Sequence, residues 1–402
     1  MPNSRKVLLW VIGLVTISIL VNLRSYQYLF PILFPSQPWE YTADNEQRKK
    51  VLALQPKIFH CGGYALNRNF QPTLQSILPE YSWHNIKAGL KSPWTSLSFP
   101  NSSSTHPWDI LLMNYELDDC IKGSNRTASF HRWLQLDFQG KIIFWTPEVG
   151  PENFNSLPIR KNFKYDLGPG KPGEQRMTLT FLQTAFWAQL PPNEKVKLLT
   201  RHLRSQSSIE RRRPHFLIYA SSHCVGVRQK AFRQLATDDT LPTVHYGGRC
   251  NGGITQNQSR ATKYKNGVRL SNWEDNVNTY QEFRFCLTME HANRPGYITE
   301  KILVAFWGGC VPIYWGSAPE IFEIFNQKAF VYWNVTEPSK ALEQIRYLER
   351  NWTAYQEVLQ EPILAPGALE NYFSLDKTIG GGATKAKIRS FLGLDDFEYE
   401  QV

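Results

Sequence analysis

No Cys-x-x-Cys spacing occurs among the six cysteines, Cys61, Cys120, Cys224, Cys250, Cys286 and Cys310, so a structural zinc site is not expected. One to three disulfides are allowed, and the pairing stays open. No glycine-rich loop ends in Gly-Lys-Ser/Thr, which argues against ATP hydrolysis on a P-loop. No expected strand runs into a G-x-G-x-x-G, which argues against a dinucleotide cofactor; Gly247-Gly248 and Gly252-Gly253 read as turns instead. No internal repeat is visible. Long runs of like charge are missing too. Arg211-Arg212-Arg213 falls at an expected linker and reads as a solvated cluster, so no nucleic-acid partner is expected.

What the chain does have is apolar and aromatic mass. Hydrophobic residues make up 42% and aromatics 13%, including 13 Trp and 18 Tyr, which excludes a disordered chain. At 402 residues it exceeds a single core, so two domains with flanks are expected. A net charge of +10, spread over scattered residues, favours phosphate-bearing or acidic ligands.

Residues 7–23 are uncharged and apolar, preceded by Arg5-Lys6 and followed by Arg24. That length just spans a thin bilayer, and the positive flank keeps residues 1–6 in the cytosol. Val21-Asn22-Leu23 lacks the small side chains of a cleavage site, so a signal anchor is expected rather than a cleaved signal. Residues 24–56, with Pro31, Pro35 and Pro38, read as a stem. Sequons beginning at Asn101, Asn125, Asn257, Asn334 and Asn351 fit a lumenal catalytic region. Residues 57–207 are expected to form an N-terminal domain and 208–362 a C-terminal, nucleotide-binding one. Residues 363–402, with Gly380-Gly381-Gly382, read as a poorly ordered tail.

Strands are expected at 57–61, 108–113, 141–145, 215–219, 243–246 and 329–333, and helices at 182–190, 193–203 and 339–359. Val225, Arg228, Phe232 and Leu235 recur at helical spacing, with Ser221-Ser222 as the cap. Strands alternating with helices give parallel β-α-β units. The densest unit is 283–316. Phe283, Phe285 and Leu287 alternate, Glu290 closes the run, and Pro295-Gly296 breaks the chain. Thr299, Glu300 and Lys301 then open a helix carried by Ile302, Leu303, Ala305 and Phe306. Gly308-Gly309 end it, and 310–314 returns as a parallel strand. Ligands of open parallel sheets sit beyond the strand carboxyl ends, where Glu290, Tyr297, Glu300 and Lys301 fall.

Lys301 stands in the first turn of its helix and Arg228 one turn into the preceding one, where a cation opposes the helix dipole. Two of them at consecutive strand-to-helix edges point to a bound anion, such as a diphosphate neutralised without a metal. Glu300 suits a carboxylate accepting both ribose hydroxyls. In the other domain, Glu148 ends a strand beside Pro147 and suits a general base. Glu116-Leu117-Asp118-Asp119 is the candidate for a metal-binding alternative.

Tyr297-Ile298-Thr299-Glu300-Lys301, with Glu290 before it and Val311-Pro312-Ile313-Tyr314-Trp315-Gly316-Ser317 after it, resembles the α-1,3/4-fucosyltransferase family. Phe144-Trp145-Thr146-Pro147-Glu148-Val149-Gly150-Pro151-Glu152-Asn153-Phe154-Asn155 is similar to the segment that carries the family's base. The stretch from Ser221 to Arg228 is similar to its pyrophosphate-binding arginine segment. The resemblance covers 215–350 well, 57–170 in patches, and neither the anchor nor the tail.

It implies an α/β fold with two Rossmann-like domains facing a cleft (GT-B-like), preceded by a transmembrane helix and stem, on the lumenal side of the Golgi membrane. It implies GDP-fucose as donor, no required cofactor or metal, and inverting transfer to a GlcNAc-containing glycan acceptor, at O3. Carried over residue by residue, Glu148 is the base, Arg228 and Lys301 hold the pyrophosphate, and Glu300 and Tyr297 hold the nucleoside and its ribose. Glu290 lies near the fucose, and Ser221, His291 and Thr299 complete the donor set. His291 departs from the family, which has Asn there, and brings a pH-dependent charge. The C-terminal cysteine pair of animal members is also missing. The rivals are a metal-dependent Golgi glycosyltransferase acting on another nucleotide sugar through Glu116 and Asp118, and a non-catalytic lumenal glycan-binding protein.

Overall fold

The computed structural model describes residues 56–60, 70–86, 105–114, 130, 132–135, 138–145, 165–169, 172–174, 176–190, 195, 212–254, 260–264, 273–375 and 377–394. The anchor expected over 7–23, the stem to residue 55, the 193–203 helix apart from residue 195, Cys61, Cys120, Glu116, Asp118, Glu148 and the sequons at Asn101, Asn125 and Asn257 lie outside these residues. Among the described residues no helix is long and apolar enough to cross a membrane.

Among the described residues two six-stranded sheets carry the fold, each with every strand parallel to its neighbours. The first contains β1 (Lys57–His60), β2 (Ser82–Asn85), β3 (Ile110–Asn114), β4 (Lys141–Trp145), β5 (Tyr165–Leu167) and β6 (Arg176–Met177), in the order β2-β1-β3-β4-β5-β6. Its strand starts are gathered by Asp109, which is fully buried. Asp109 accepts from Lys57 N and His106 N at 2.9 Å through its carboxylate, and from Lys141 N at 2.8 Å through its carbonyl. Gly140 is needed beside it, because a Cβ there would lie 2.1 Å from the Asp109 carbonyl oxygen.

The second sheet contains β7 (His215–Ser221), β8 (Val244–Gly248), β9 (Ala261–Lys263), β10 (Phe283–Leu287), β11 (Val311–Tyr314) and β12 (Val331–Tyr332). Its order is β12-β11-β10-β7-β8-β9, which is the 3-2-1-4-5-6 arrangement of dinucleotide-binding sheets when counted from β7. Chain direction across this sheet reverses between β7 and β10. That is the switch point where open parallel sheets take their ligands. β10 is buried at all five positions, on both faces. The alternation of Phe283, Phe285 and Leu287 therefore marks only one of two covered faces, as expected for a central parallel strand. Burying each of these side chains contributes about 1.5–3 kcal/mol.

The helices are α1 (Gln71–Ile77), α2 (Phe181–Gln189), α3 (Gly226–Thr237), α4 (Trp273–Tyr280), α5 (Lys301–Gly308), α6 (Glu320–Ile324), α7 (Ser339–Arg350), α8 (Trp352–Gln360) and α9 (Ala383–Phe391). α5 stops where Gly309 turns left-handed at φ 75°. Gly308 lets α4 approach, since a Cβ there would lie 2.4 Å from the Tyr280 Cβ. The single helix expected over 339–359 is two, because Asn351 leaves helical geometry and caps α8 by accepting from Ala354 N at 3.1 Å. Ser221 and Ser222 do not cap α3. Its N-cap is Val225, and Ser221 Oγ donates to His223 O at 2.9 Å instead.

Three further expectations change. Gly168-Pro169-Gly170-Lys171-Pro172-Gly173 is a G-x-G-x-x-G that follows β5, a strand too short to stand out in the sequence. It leads into β6 and opens no helix, so it lacks the context of a dinucleotide site. The 211–213 run is not a solvated cluster throughout, because Arg213 is buried and donates to Phe283 O at 3.1 Å. The tail expected over 363–402 is folded through residue 394, apart from the undescribed residue 376. α9 returns to the first domain, where Lys385 Nζ donates to Ser76 O at 3.0 Å and Arg389 Nη1 to Ile77 O at 3.1 Å. These cations meet the open carbonyls at the C-terminal end of α1, and the buried pair Arg389–Glu80, at 2.8 Å, completes the clamp. Ile388, Leu392 and Leu394 join the same apolar core as Ile58, Leu74, Ile302 and Phe306. One core thus runs through residues of both sheets. α2 reinforces the junction, with Leu182 N donating to Ile298 O at 3.0 Å.

Candidate donor site at the switch point

Beyond β10 the chain stays close to β11, with Thr288 N donating to Ile313 O at 2.9 Å and Glu290 N to Trp315 O at 2.8 Å. This carries Glu290 under the loop that precedes α5, where its side chain is fully buried. Its Oε1 accepts from Thr299 N at 2.8 Å and Tyr314 OH at 3.2 Å, and Thr299 Oγ1 lies 2.9 and 2.8 Å from the two carboxylate oxygens. Lys301 Nζ donates to Thr299 Oγ1 at 2.7 Å and stands 3.4 Å from Glu290 Oε2. Burial, and then the Glu290 charge, pushes the Tyr314 phenol well above its ordinary range, so it stays a donor to the carboxylate. Gly316 is required by the same crowding. A Cβ there would lie 2.4 Å from Tyr314 OH and 2.8 Å from Glu290 Cγ.

Glu290 thus pins the N-terminus of α5. The expectation that it lies near the fucose meets a carboxylate with no exposed surface, surrounded by its own donors. Lys301 carries the outer half of the pair, 30% exposed against 0% for Glu290, so the cation faces outward and the anion inward. Glu300 is the N-cap of α5 but makes no capping bond. Its 22% exposed carboxylate has Lys301 Nζ at 3.7 Å and is left open to a ligand.

Arg228 reaches the site from the other side of the switch point. It is the third residue of α3, nearly buried, and its Nε donates to Glu290 O at 3.1 Å. Among the described residues nothing accepts from its two terminal nitrogens, which leaves a guanidinium edge for an anion. Tyr280 registers both neighbours: burial raises its phenol, the Glu300 charge raises it further, and Arg228 opposes. Tyr297 is buried, with its hydroxyl 2.8 Å from His291 Nδ1, while His291 itself is exposed. Ser221 closes β7, nearly buried.

Arg228, Glu290, Thr299, Glu300 and Lys301 are therefore brought together as one cluster, with Tyr297–His291 beside it and Ser221 at the head of the α3 loop. Glu148 lies outside the described residues. Sequence reasoning missed Tyr314 and Gly316, although both stand in the 311–317 motif. It also left the disulfides open. Cys224–Cys250 joins the loops after β7 and β8, and Cys286–Cys310 lies buried in the core.

Residues 211–360 match the family described as Glycosyltransferase family 10 (fucosyltransferase) C-term. R654 of Acanthamoeba polyphaga mimivirus, named as a fucosyltransferase, is 30% identical over 309 residues, covering 74% of this chain and 42% of its own length. An alpha-(1,3)-fucosyltransferase of Helicobacter pylori is 39% identical over 83 residues, 20% of this chain and 17% of that protein. Each match spans less than half the relative's length. In fold, the chain is similar to a crystal structure of an alpha1,3-fucosyltransferase (TM-score 0.52, 19% identity, covering 85% of this chain and 90% of that one). It is similar to a GDP-fucose complex of an alpha1,3-fucosyltransferase as well (TM-score 0.51, 19% identity, 87% and 92%).

Proposed function

For a chain that belongs to the fucosyltransferase family, we propose inverting transfer of L-fucose from GDP-fucose to a hydroxyl of a glycan acceptor, O3 of GlcNAc being the expected target. The observation that carries this is the switch-point cluster. A nearly buried guanidinium with open terminal nitrogens and an outward-facing ammonium stand together at the carboxyl edge of a dinucleotide-type sheet. Arg228 and Lys301 neutralise the diphosphate, and Glu300, uncommitted to its helix, accepts the ribose hydroxyls. Glu290 and Thr299 fix the position of Lys301 rather than meeting the sugar.

Glu148, from the other domain across a cleft, takes the proton of the acceptor hydroxyl. The hydroxyl oxygen attacks the anomeric carbon as the bond to the β-phosphate oxygen breaks, and GDP leaves with the electron pair. No metal is required, so EDTA leaves turnover unchanged. The enzyme works in the Golgi lumen, held by the 7–23 anchor.

The test is GDP release from GDP-fucose across LacNAc and N-glycan-core acceptors, with the product linkage read by NMR. Donor binding without transfer to any GlcNAc-bearing acceptor sinks the acceptor assignment. No binding of GDP-fucose sinks the donor assignment.

A further inference from the structure

α3 starts without the devices that usually fix a helix end. Its N-cap, Val225, makes no side-chain bond, its first turn holds no acidic residue, and its third residue, Arg228, is a cation opposing the dipole. The place of the anion-binding arginine is therefore set from outside the helix. Arg249 N and Cys250 N, after β8, both donate to Ser221 O, at 3.1 and 3.3 Å, and Cys250 is bonded to Cys224 in the loop that leads into α3. One turn further on, Gly252 N donates to Gln229 Oε1 at 2.8 Å, and Arg233 Nε and Nη2 donate to Gly252 O at 3.1 and 2.9 Å. Cys250 is fully buried in the apolar core around Leu217 and Phe232, whereas Cys224 is exposed. One sulfur is thus fixed in the core, and the other holds the chain that runs on to Arg228.

The second disulfide supplies the contrast. Cys224–Cys250 spans 26 residues and Cys286–Cys310 spans 24, so the two restrict the unfolded chain almost equally. Their surroundings differ. Cys286–Cys310 is buried among Ile218, Phe283, Val304 and Ala305, and Cys310 follows the C-terminal end of α5, the opposite end of that helix from Lys301. Cys224–Cys250 stands instead at the uncapped end of the helix that carries Arg228. The bond from Arg228 Nε to Glu290 O, with the terminal nitrogens left open, holds only while α3 keeps its present position against β10.

We propose that the Cys224–Cys250 disulfide is a positioning element of the donor site, which holds α3 so that Arg228 meets the diphosphate, and that donor affinity depends on its oxidation. This rests on the donor assignment above. Reduction by a dithiol adds two electrons and two protons to the S–S bond and gives the Cys224 and Cys250 thiols and the oxidised, cyclic form of the reductant. The loop before α3 is then tied to β8 by hydrogen bonds alone, and binding a diphosphate first has to order it.

The experiment measures the affinity of the full-length protein for GDP and for guanosine, in wild type, Cys224→Ala/Cys250→Ala, Cys286→Ala/Cys310→Ala and Arg228→Met. Loss of the 224–250 bond is expected to weaken GDP by about tenfold and guanosine by no more than about twofold, because the bond acts through the arginine that holds the phosphates. Loss of the 286–310 bond lowers Tm and leaves the ratio of GDP to guanosine affinity within about twofold. In the Arg228→Met background, removing Cys224 and Cys250 adds no more than about twofold, since the group they position is gone. Dithiothreitol gives the same comparison on the wild-type chain should the double variant not fold: it reaches exposed Cys224 before the buried 286–310 pair, and alkylation with mass spectrometry locates the thiols. Unchanged GDP affinity without the bond overturns the inference. So does equal weakening of GDP and guanosine, or a full further loss on top of Arg228→Met. A wild-type protein that does not bind GDP overturns the donor assignment instead, so the two failures are told apart.

Discussion

The carboxyl edges of the two sheets are built from different chemistry. At the switch point of the second sheet, between β7 and β10, stand Arg228, Glu290, Glu300 and Lys301, two cations and two carboxylates, with Thr299 bridging Glu290 and Lys301 and Arg228 bonded to the Glu290 carbonyl. At that of the first sheet, beside β1 and β3, the described side chains include two ring pairs. His60 lies edge-on to Trp83 at 5.5 Å between centroids, and Phe70 stacks on Trp145 at 4.1 Å. Burial, and then the neighbouring His84, lowers His60 to about 4, so it is neutral at physiological pH. A diphosphate gives up a large hydration energy on binding, and only preplaced charge offsets it. A sugar hydroxyl needs flat apolar surface and one base. The difference supports the proposal that the diphosphate of the donor is held at the edge of the second sheet.

The most forceful way to break that division is Glu148→Gln. It is expected to lower kcat by about 10²- to 10⁴-fold while leaving the GDP affinity unchanged. Loss of GDP binding, or retention of turnover, contradicts the separation of chemistry from donor binding. Glu290→Ala comes next, as a stability effect. Removing the buried partner of Thr299, Tyr314 and Lys301 is expected to cost about 3 kcal/mol. A thermal melt reads it as a lower Tm, and a normal Tm with lost donor binding would return Glu290 to the sugar.

Arg228→Met should weaken GDP and GDP-fucose by about 10- to 100-fold, the worth of charge-assisted bonds to phosphate, with little change in Tm. Titration calorimetry checks it. The smallest effect is shared by both sheets. His60 and His245 are each lowered to about 4, in both cases by burial first, and for His245 by His215 second. Their folded pKa values lie below the ordinary 6.5, so the unfolded chain binds protons first. Stability is full above pH 6.5 and is lost as pH falls from 6.5 towards 4. Melting temperatures across that window should fall, and His245→Phe should flatten the slope. An unchanged slope in that variant removes His245 from the account.

The second sheet was more legible in the sequence than the first. Its strands are apolar runs bounded by glycine and proline, and the 283–316 unit folds as strand, helix and parallel strand with Gly309 as the stop. Arg228, Glu300 and Lys301 could be placed at the ligand edge because a β-α-β unit leaves its loop residues there. The fate of Glu290 could not be read, since a carboxylate after a strand looks alike whether it meets solvent, a sugar or a buried threonine. The α9 clamp was hidden by three consecutive glycines, which suggest disorder unless a docking surface is known.

The sequence alone determined the alternation of strands and helices, their parallel pairing and the residue types at the carboxyl edge, because periodicity and turn chemistry are local. Tertiary structure alone decided which charge each charged group would face. Arg284 meets Glu349 across 65 residues and Arg389 meets Glu80 across 309. Cys224 finds Cys250, and Lys301 turns its charge outward because Glu290 lies beneath it. A buried charge is stable only with its partner in reach, and no local pattern records which distant element brings that partner.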